Sequence, residues 1–87
     1  MKIYLGETGL NKTWQLPFEL TTKCVHCGGN AEIMMVGQEV EENKGEYACD
    51  LKETTGEKGG LWLHDACAIA VYLCRDCLEA TTIINQA

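Results

Sequence analysis

Several short segments of the chain alternate between hydrophobic and polar residues with a period of two, which is the pattern of β-strands. Residues 2–5 form the first of these segments, and the two glycines within residues 6–9 favour a turn after it. Residues 14–20 form a second segment. Pro17 within it lacks an N–H, so we expect an edge strand there. The face of that strand predicted to point into the core carries Trp14, Leu16, Phe18 and Leu20.

The pattern then predicts a β-hairpin and a closing strand. Residues 31–36 and 46–51 are expected to pair with each other across a polar loop, and residues 81–84 form a short strand near the end. The apolar residues 68–73 fit a buried strand as well as they fit a helix, because short apolar runs do not distinguish the two. The helical alternative would place on one face Cys67, Ala70, Val71, Cys74, Cys77 and Leu78.

A helical turn is also predicted shortly before the closing strand. Asp76 and Glu79 have the spacing of a capping box, in which two side chains satisfy backbone N–H groups at the start of a helix. Together with the strands, this predicts a small α+β fold that consists of antiparallel β-hairpins and one short helix. The length of 87 residues fits a single domain, residues 1–87.

So short a chain buries little surface and usually needs disulfides or a bound metal ion for stability. Its six cysteines and two histidines could supply either of these. A disulfide framework would require a secretory context. Residues 1–10 contain no uninterrupted apolar run of the kind found in signal sequences, and no run of about 18 apolar residues could span a membrane. We therefore expect a cytoplasmic protein with a metal site.

Two Cys-x-x-Cys motifs carry the strongest chemical signal. Cys24 and Cys27 form the first motif, and Cys74 and Cys77 form the second. Gly28 follows the first motif and lets the backbone turn back toward the sulfurs. Four thiolates give zinc a closed tetrahedral coordination with no position left for water. The spacing therefore predicts one structural zinc ion.

This arrangement resembles the zinc-ribbon and treble-clef families, in which a first Cys-x-x-Cys motif leads into a β-hairpin and a second motif closes the ion. The resemblance covers residues 24–80 and implies hairpins that are stapled by zinc. The two motifs are further apart than in the smallest zinc ribbons, which implies an insertion between them.

Residues 62–67 carry a second resemblance, to the Trp-x-His-x-x-Cys and Trp-His-x-x-Cys stretches of plant-homeodomain and LIM fingers. In those fingers the histidine and cysteine are zinc ligands, which implies that His64 and Cys67 are ligands in this chain. In one arrangement His64 and Cys67 would complete a site with Cys24 and Cys27, and the second Cys-x-x-Cys motif would not be part of that site.

The other arrangement is a second metal site formed by His64, Cys67 and Cys49. Its fourth ligand would have to be Asp50, Asp65 or His26. The competing interpretation is that Cys49 and Cys67 are small buried hydrophobic residues, as free cysteines often are. His26 lies between two ligands of the first motif, so we expect its ring to point away from the metal.

The charge of the chain argues against nucleic acid as a partner. Thirteen acidic and seven basic residues give a net charge of −6, and the basic residues are scattered along the chain. Nucleic-acid binding needs a basic patch that displaces counterions from phosphates. Residues 39–57 hold seven acids and two lysines, which form either a solvated surface or a docking surface for a basic partner.

The leading hypothesis is a non-enzymatic, zinc-stabilised binding or adaptor module that contacts a protein partner, because closed thiolate coordination leaves no Lewis-acid position. Small acidic domains of this kind resemble regulatory or mobile-element proteins.

Two other classes stay open. In a zinc-dependent hydrolase or nuclease, His64, Cys67 and a carboxylate would hold a zinc ion with an open position. Residues 72–77 resemble the structural-zinc end of HNH endonucleases, although the catalytic Asp-His pair of that family is missing. In a redox or iron-binding protein, either Cys-x-x-Cys motif could cycle as a dithiol.

Overall fold

The part of the chain that the structure describes folds as an antiparallel β-sheet with one short 3-10 helix. The computed structural model describes residues 1–13, 16–38, 47–51 and 68–85. Within these ranges the elements are β1 (Lys2–Leu5), the 3-10 helix (Gly6–Gly9), β2 (Thr21–Lys23), β3 (Asn30–Gln38), β4 (Cys49–Asp50), β5 (Ala68–Cys74) and β6 (Ala80–Asn85).

Strand β3 is the centre of the sheet, because both of its edges are paired over most of its length. The strand order is β4-β1-β3-β5-β6, and β2 also pairs with β3. Strand β5 runs along one edge of β3, from the pair Ala31 with Cys74 to the pair Gln38 with Ala68. The other edge is shared, with β2 beside the first residues of β3 and β1 beside the last ones.

A β-bulge in β3 decides which side chains reach the core. The register with β5 shifts between Ile33 and Met35. Ile33 pairs with Tyr72 and Val36 pairs with Ala70, so both β3 residues lie on the same face although they are three positions apart. A regular strand would place them on opposite faces. The bulge therefore keeps the buried face of β3 continuous.

The core lies on that face of the sheet. Its fully buried side chains include Tyr4, Val36 and Tyr72, and Phe18 packs among them at 6% exposure. Phe18 belongs to residues 16–20, which we call the covering segment. Its backbone is tied to the rest of the fold because the phenol of Tyr72 donates a hydrogen bond to the carbonyl of Glu19 (2.7 Å) and the Phe18 N–H donates to the carbonyl of Leu10 (2.8 Å).

The predicted α+β fold class is wrong, because no α-helix occurs among the residues described. Asp76 and Glu79, which were expected to cap a helical turn, lie in the turn between β5 and β6. The carbonyl of Glu79 accepts a hydrogen bond from the Cys74 N–H (3.0 Å), which closes a hairpin instead. The ambiguous residues 68–73 are a strand, since each pairs with β6. Across the described ranges, no helix has the length and apolar character needed to cross a bilayer.

Some of the predicted strands are confirmed and others are wrong. The strands predicted at residues 2–5, 31–36 and 81–84 are confirmed. The predicted pairing of residues 46–51 with β3 is wrong, because β4 pairs with β1 and both edges of β3 are occupied.

The edge strand predicted at residues 14–20 is also wrong over its described part. Residues 16–20 are not a strand. Phe18 is buried as expected, but Leu16 and Leu20 are 84% and 51% exposed. Trp14 lies outside the described residues.

We expect Gly9→Ala to destabilise the protein by about 2 kcal/mol, because overpacking a filled core typically has a cost of this size. A Cβ atom at buried Gly9 would lie 2.7 Å from the Cβ atoms of both Tyr4 and Val36. The control is Gly6→Ala, which meets nothing within 4 Å and carries only the strain of a positive φ of 54°. Equilibrium urea unfolding measures both variants, and an equal or smaller loss for Gly9→Ala would contradict the packing argument.

Candidate metal centre

The two Cys-x-x-Cys motifs form two turns with the same backbone hydrogen bonds. We call residues 24–29 the first knuckle and residues 74–79 the second knuckle. In the first, the Cys24 N–H donates to the carbonyl of Gly29 (2.8 Å), and the Gly28 N–H donates to the carbonyl of Cys24 (3.0 Å). In the second, Cys74 and Leu78 make the equivalent bonds to Glu79 and Cys74, at 3.0 and 3.2 Å.

The equivalence extends to a left-handed backbone conformation at the fifth position of each knuckle. Gly28 has a φ of 76°, and Leu78 has a φ of 60°. Positive φ is routine for glycine but is strained for a residue with a Cβ atom. The second knuckle therefore adopts the geometry of the first without the glycine that favours it.

The sheet brings the knuckles together. The first knuckle leads into β3, the second follows β5, and the pairing of Ala31 with Cys74 places these strand ends side by side. Hydrogen bonds then cross between the knuckles and their strands. The Arg75 N–H donates to the carbonyl of Asn30 (3.1 Å), and the Val25 N–H donates to the hydroxyl of Thr81 (3.2 Å). The backbone thus fixes the relative position of the knuckles.

All four sulfurs converge in the space between the knuckles. The Sγ atoms of Cys24, Cys27, Cys74 and Cys77 lie within 4.8 Å of one another. Two cross-knuckle separations are 3.7 Å, for Cys24 to Cys77, and 3.5 Å, for Cys27 to Cys74. A tetrahedral ion with metal–sulfur bonds of about 2.3 Å places its sulfurs roughly 3.8 Å apart, whereas a disulfide needs about 2.05 Å. The sulfur positions therefore suit a single ion such as zinc and not a disulfide pair.

Backbone N–H groups point at these sulfurs. The N–H of His26 donates to Cys24 Sγ (3.3 Å), that of Gly29 to Cys27 Sγ (3.4 Å), and that of Asp76 to Cys74 Sγ (3.4 Å). Hydrogen bonds to a thiolate stabilise its charged form. Each knuckle therefore supplies part of the positive potential that a cluster of thiolates requires.

The ionisation of the thiols is uneven, because each thiolate opposes the formation of the next. The backbone N–H groups of Cys27 and His26, working against burial, lower the pKa of the Cys24 thiol to about 6. At Cys77 the N–H of Glu79 acts in the same direction, but desolvation and the neighbouring thiols outweigh it and raise the pKa to about 12. The N–H of Gly29 likewise lowers the pKa of Cys27, but the adjacent thiol of Cys74 and other nearby groups raise it above its ordinary value overall. Only a cation at the centre would let all four groups ionise together near neutral pH.

Burial divides the cluster into two pairs. Cys24 and Cys74, the first cysteine of each knuckle, are buried, and Cys27 and Cys77 lie at the surface. The buried pair belongs to the hydrophobic core. The site therefore joins the core to the surface at one end of the sheet.

The remaining predicted ligands do not join this cluster within the described residues. Cys49 pairs with Ile3, which in turn pairs with Gly37, so it lies about 20 Å along the strand direction from the knuckles. Asp50 accepts a hydrogen bond from Lys2 Nζ (2.6 Å). His64, Asp65 and Cys67 lie outside the described residues, so the second metal site stays a prediction.

His26 and Thr81 support the site without contributing a ligand. The ring of His26 is exposed and its Nε2 donates to the carbonyl of Ala80 (3.2 Å), which agrees with the expectation that it points away from the sulfurs. Thr81 is buried at 3% exposure, and its hydroxyl accepts a hydrogen bond from the first knuckle, a role that no sequence motif predicted. The one sequence feature that could have indicated this role is the position of a threonine hydroxyl in the strand that follows a Cys-x-x-Cys motif.

Fold and site together define an antiparallel β-sheet protein with a four-cysteine cluster that could hold a metal ion. No protein-family model matches the chain, and neither the curated proteins nor the solved structures contain a match. The interpretation of the site therefore depends on its own geometry.

We expect Leu78→Gly to be at least as stable as the parent protein. The substitution removes a left-handed leucine, a strain of about 1–2 kcal/mol that exceeds the extra backbone entropy of glycine, and Leu78 is 71% exposed, so little packing is lost. The control is Leu5→Gly, an exposed leucine in β1, which should lose roughly 1 kcal/mol. Urea unfolding of both variants would refute the strain argument if they lost the same stability.

We expect zinc affinity to fall as the pH falls, because protons compete for the thiolates. The metal-free chain should be unfolded, so its thiols keep an ordinary pKa of about 8.5 and are mostly protonated at pH 7.5. Zinc uptake at that pH should therefore release roughly three to four protons, and the number should fall as the pH rises above about 8.5 and the free thiols ionise. Calorimetry in buffers of different ionisation enthalpy counts the protons. A pH-independent affinity, or release of about one proton at pH 7.5, would contradict coordination by four thiolates.

Proposed function

We propose that this protein is a non-enzymatic binding module that one zinc ion stabilises and that contacts a protein partner. The observation that carries the proposal is the closed set of four sulfurs in the two knuckles. Thiolates would occupy all four positions of a tetrahedral ion, so none remains for water or substrate. Such an ion acts on structure rather than on a reaction.

The ion's structural work would be to hold two hairpins at one end of the sheet. Strands β2 and β3 flank the first knuckle, and β5 and β6 flank the second. Without a cation, the like charges of the thiolates oppose the close approach that the sheet imposes on them. Structural zinc contributes on the order of 10 kcal/mol, which is comparable with the whole stability of a small domain. Folding should therefore be linked to metal.

The distribution of charge supports a protein partner over nucleic acid. The net charge of −6 would become more negative with the charge of −2 on a zinc ion held by four thiolates. Two of the basic side chains are paired with acids, Lys2 with Asp50 and Arg75 with Glu32. A surface of this kind attracts basic partners and repels phosphates.

The proposal predicts one zinc ion per chain and a sharp difference between two exposed cysteines. Cys77→Ser removes a ligand and should abolish stable zinc binding. The matched control is Cys49→Ser, which changes an exposed cysteine in β4 and should leave the zinc content unchanged. Native mass spectrometry and elemental analysis give the stoichiometry and the metal, and an absorption band in the visible range would identify iron instead.

The fold should follow the metal in the same experiment. We expect a strong chelator to collapse the dispersed amide signals of the NMR spectrum and zinc to restore them. If a metal-free sample retained the native spectrum, zinc would not be the structural element that we propose. Loss of one metal equivalent on Cys49→Ser, with another retained, would establish a second site and overturn the single-ion stoichiometry.

A further inference from the structure

A groove lies between the covering segment and residues of strands β2, β5 and β6. Its volume is about 310 Å³, near the lower limit of binding pockets for small ligands and peptide side chains. The walls are mostly apolar and include Leu16, Pro17, Phe18, Tyr72 and Ile83, together with the acidic residue Glu19. None of these residues is part of the sulfur cluster.

The groove is preformed, because hydrogen bonds fix the covering segment at several points along its length. The Asn85 side-chain amide donates to the carbonyl of Leu16 (3.4 Å), and the Tyr72 phenol donates to the carbonyl of Glu19 (2.7 Å). The Ile33 N–H donates to the carbonyl of Leu20 (2.9 Å). A ligand would therefore not have to order this wall of the groove before binding, which lowers the entropic cost of association.

The rim of the groove includes an apolar side chain that is exposed to water. Leu16 is 84% exposed although it lines a concavity whose floor contains the buried rings of Phe18 and Tyr72. A partner side chain inserted there would cover Leu16 and contact both rings. Burial of apolar surface against an aromatic floor is the usual source of affinity at such anchor sites.

The negative charge at the groove should favour apolar segments that also carry a basic residue over those that carry an acidic one. Among the described lining residues, Glu19 is the only one that carries a charge. The net charge of the chain has the same sign, at −6. An acidic segment would be repelled, and a basic one would be attracted.

We propose that this groove binds a segment of a partner protein in which an apolar side chain stands next to a lysine or arginine. The apolar side chain fills the space between Leu16 and Tyr72, and the cation faces Glu19. This inference names the kind of partner that the proposed module binds. It rests on the proposed function because the zinc site supports one end of the groove. Thr22 and Tyr72 lie two residues before Cys24 and Cys74, so the zinc site anchors one end of the groove.

The test is selection of random twelve-residue peptides displayed on phage against the zinc-loaded protein, followed by NMR titration of the enriched peptides. We expect the enriched sequences to place an apolar residue beside lysine or arginine. Their amide shifts should map to the groove residues. The selection overturns the proposal if nothing is enriched, if acidic sequences dominate, or if the shifts map elsewhere.

Matched variants identify the contacts. Leu16→Ser should weaken binding about tenfold through lost apolar contact, and Glu19→Gln should weaken it about threefold and reduce its dependence on salt. The controls are Leu51→Ser and Glu7→Gln, exposed residues outside the groove lining, which should change nothing. Equal effects of the controls would overturn the proposal.

Zinc content, measured on every variant, separates the two proposals. The groove variants should keep one zinc ion per chain. Zinc binding without peptide binding would refute the groove alone, and peptide binding by a protein that takes up no zinc would refute the zinc-stabilised module alone.

Discussion

The antiparallel pairing of β3 with β5 is the interaction on which the rest of the structure depends. It runs from Ala31 and Cys74 at one end to Gln38 and Ala68 at the other, and it joins residues that are 30 to 43 positions apart in the chain. Because β3 begins after one knuckle and β5 ends at the other, this ladder brings four cysteines from distant sequence positions into one cluster. Moving the register by one residue would turn Cys74 to the opposite face and separate the sulfurs.

Electrostatics set a second constraint at the same place. The backbone N–H groups of each knuckle stabilise a negative sulfur, and at Cys24 they lower the pKa of the thiol to about 6. At Cys77 the N–H of Glu79 acts in the same direction, but desolvation and the neighbouring thiols outweigh it and raise the pKa to about 12. The sheet therefore imposes a cluster whose charge the protein itself does not balance. That imbalance is the physical reason why a divalent ion suits the site.

Sequence reasoning found the site more completely than the fold, because the chemistry of Cys-x-x-Cys is local and strand pairing is not. The spacing of Cys24, Cys27, Cys74 and Cys77 identified the cluster without knowledge of the sheet. The pairing of β4 was wrong because proximity along the chain favours a hairpin with β3, whereas β1 and β5 already occupy the relevant edges. At residues 16–20 the period of two correctly turned Phe18 inward. Tertiary hydrogen bonds to the covering segment then took the place of the ladder that a strand would need.

The helix predicted at Asp76 failed for a reason that also explains the strain at Leu78. In both knuckles the backbone is committed to the hairpin and to the sulfurs, since Asp76 donates its N–H to Cys74 and Leu78 donates its N–H to the carbonyl of the same cysteine. The Cys74 N–H also donates to the carbonyl of Glu79, which reverses the chain into β6, so the turn does not continue as a helix. These bonds also hold Leu78 in a conformation that its side chain disfavours, as the identical bonds hold Gly28. Knuckle geometry is therefore set by the backbone and the cysteines, and the residue at the left-handed position adapts to it.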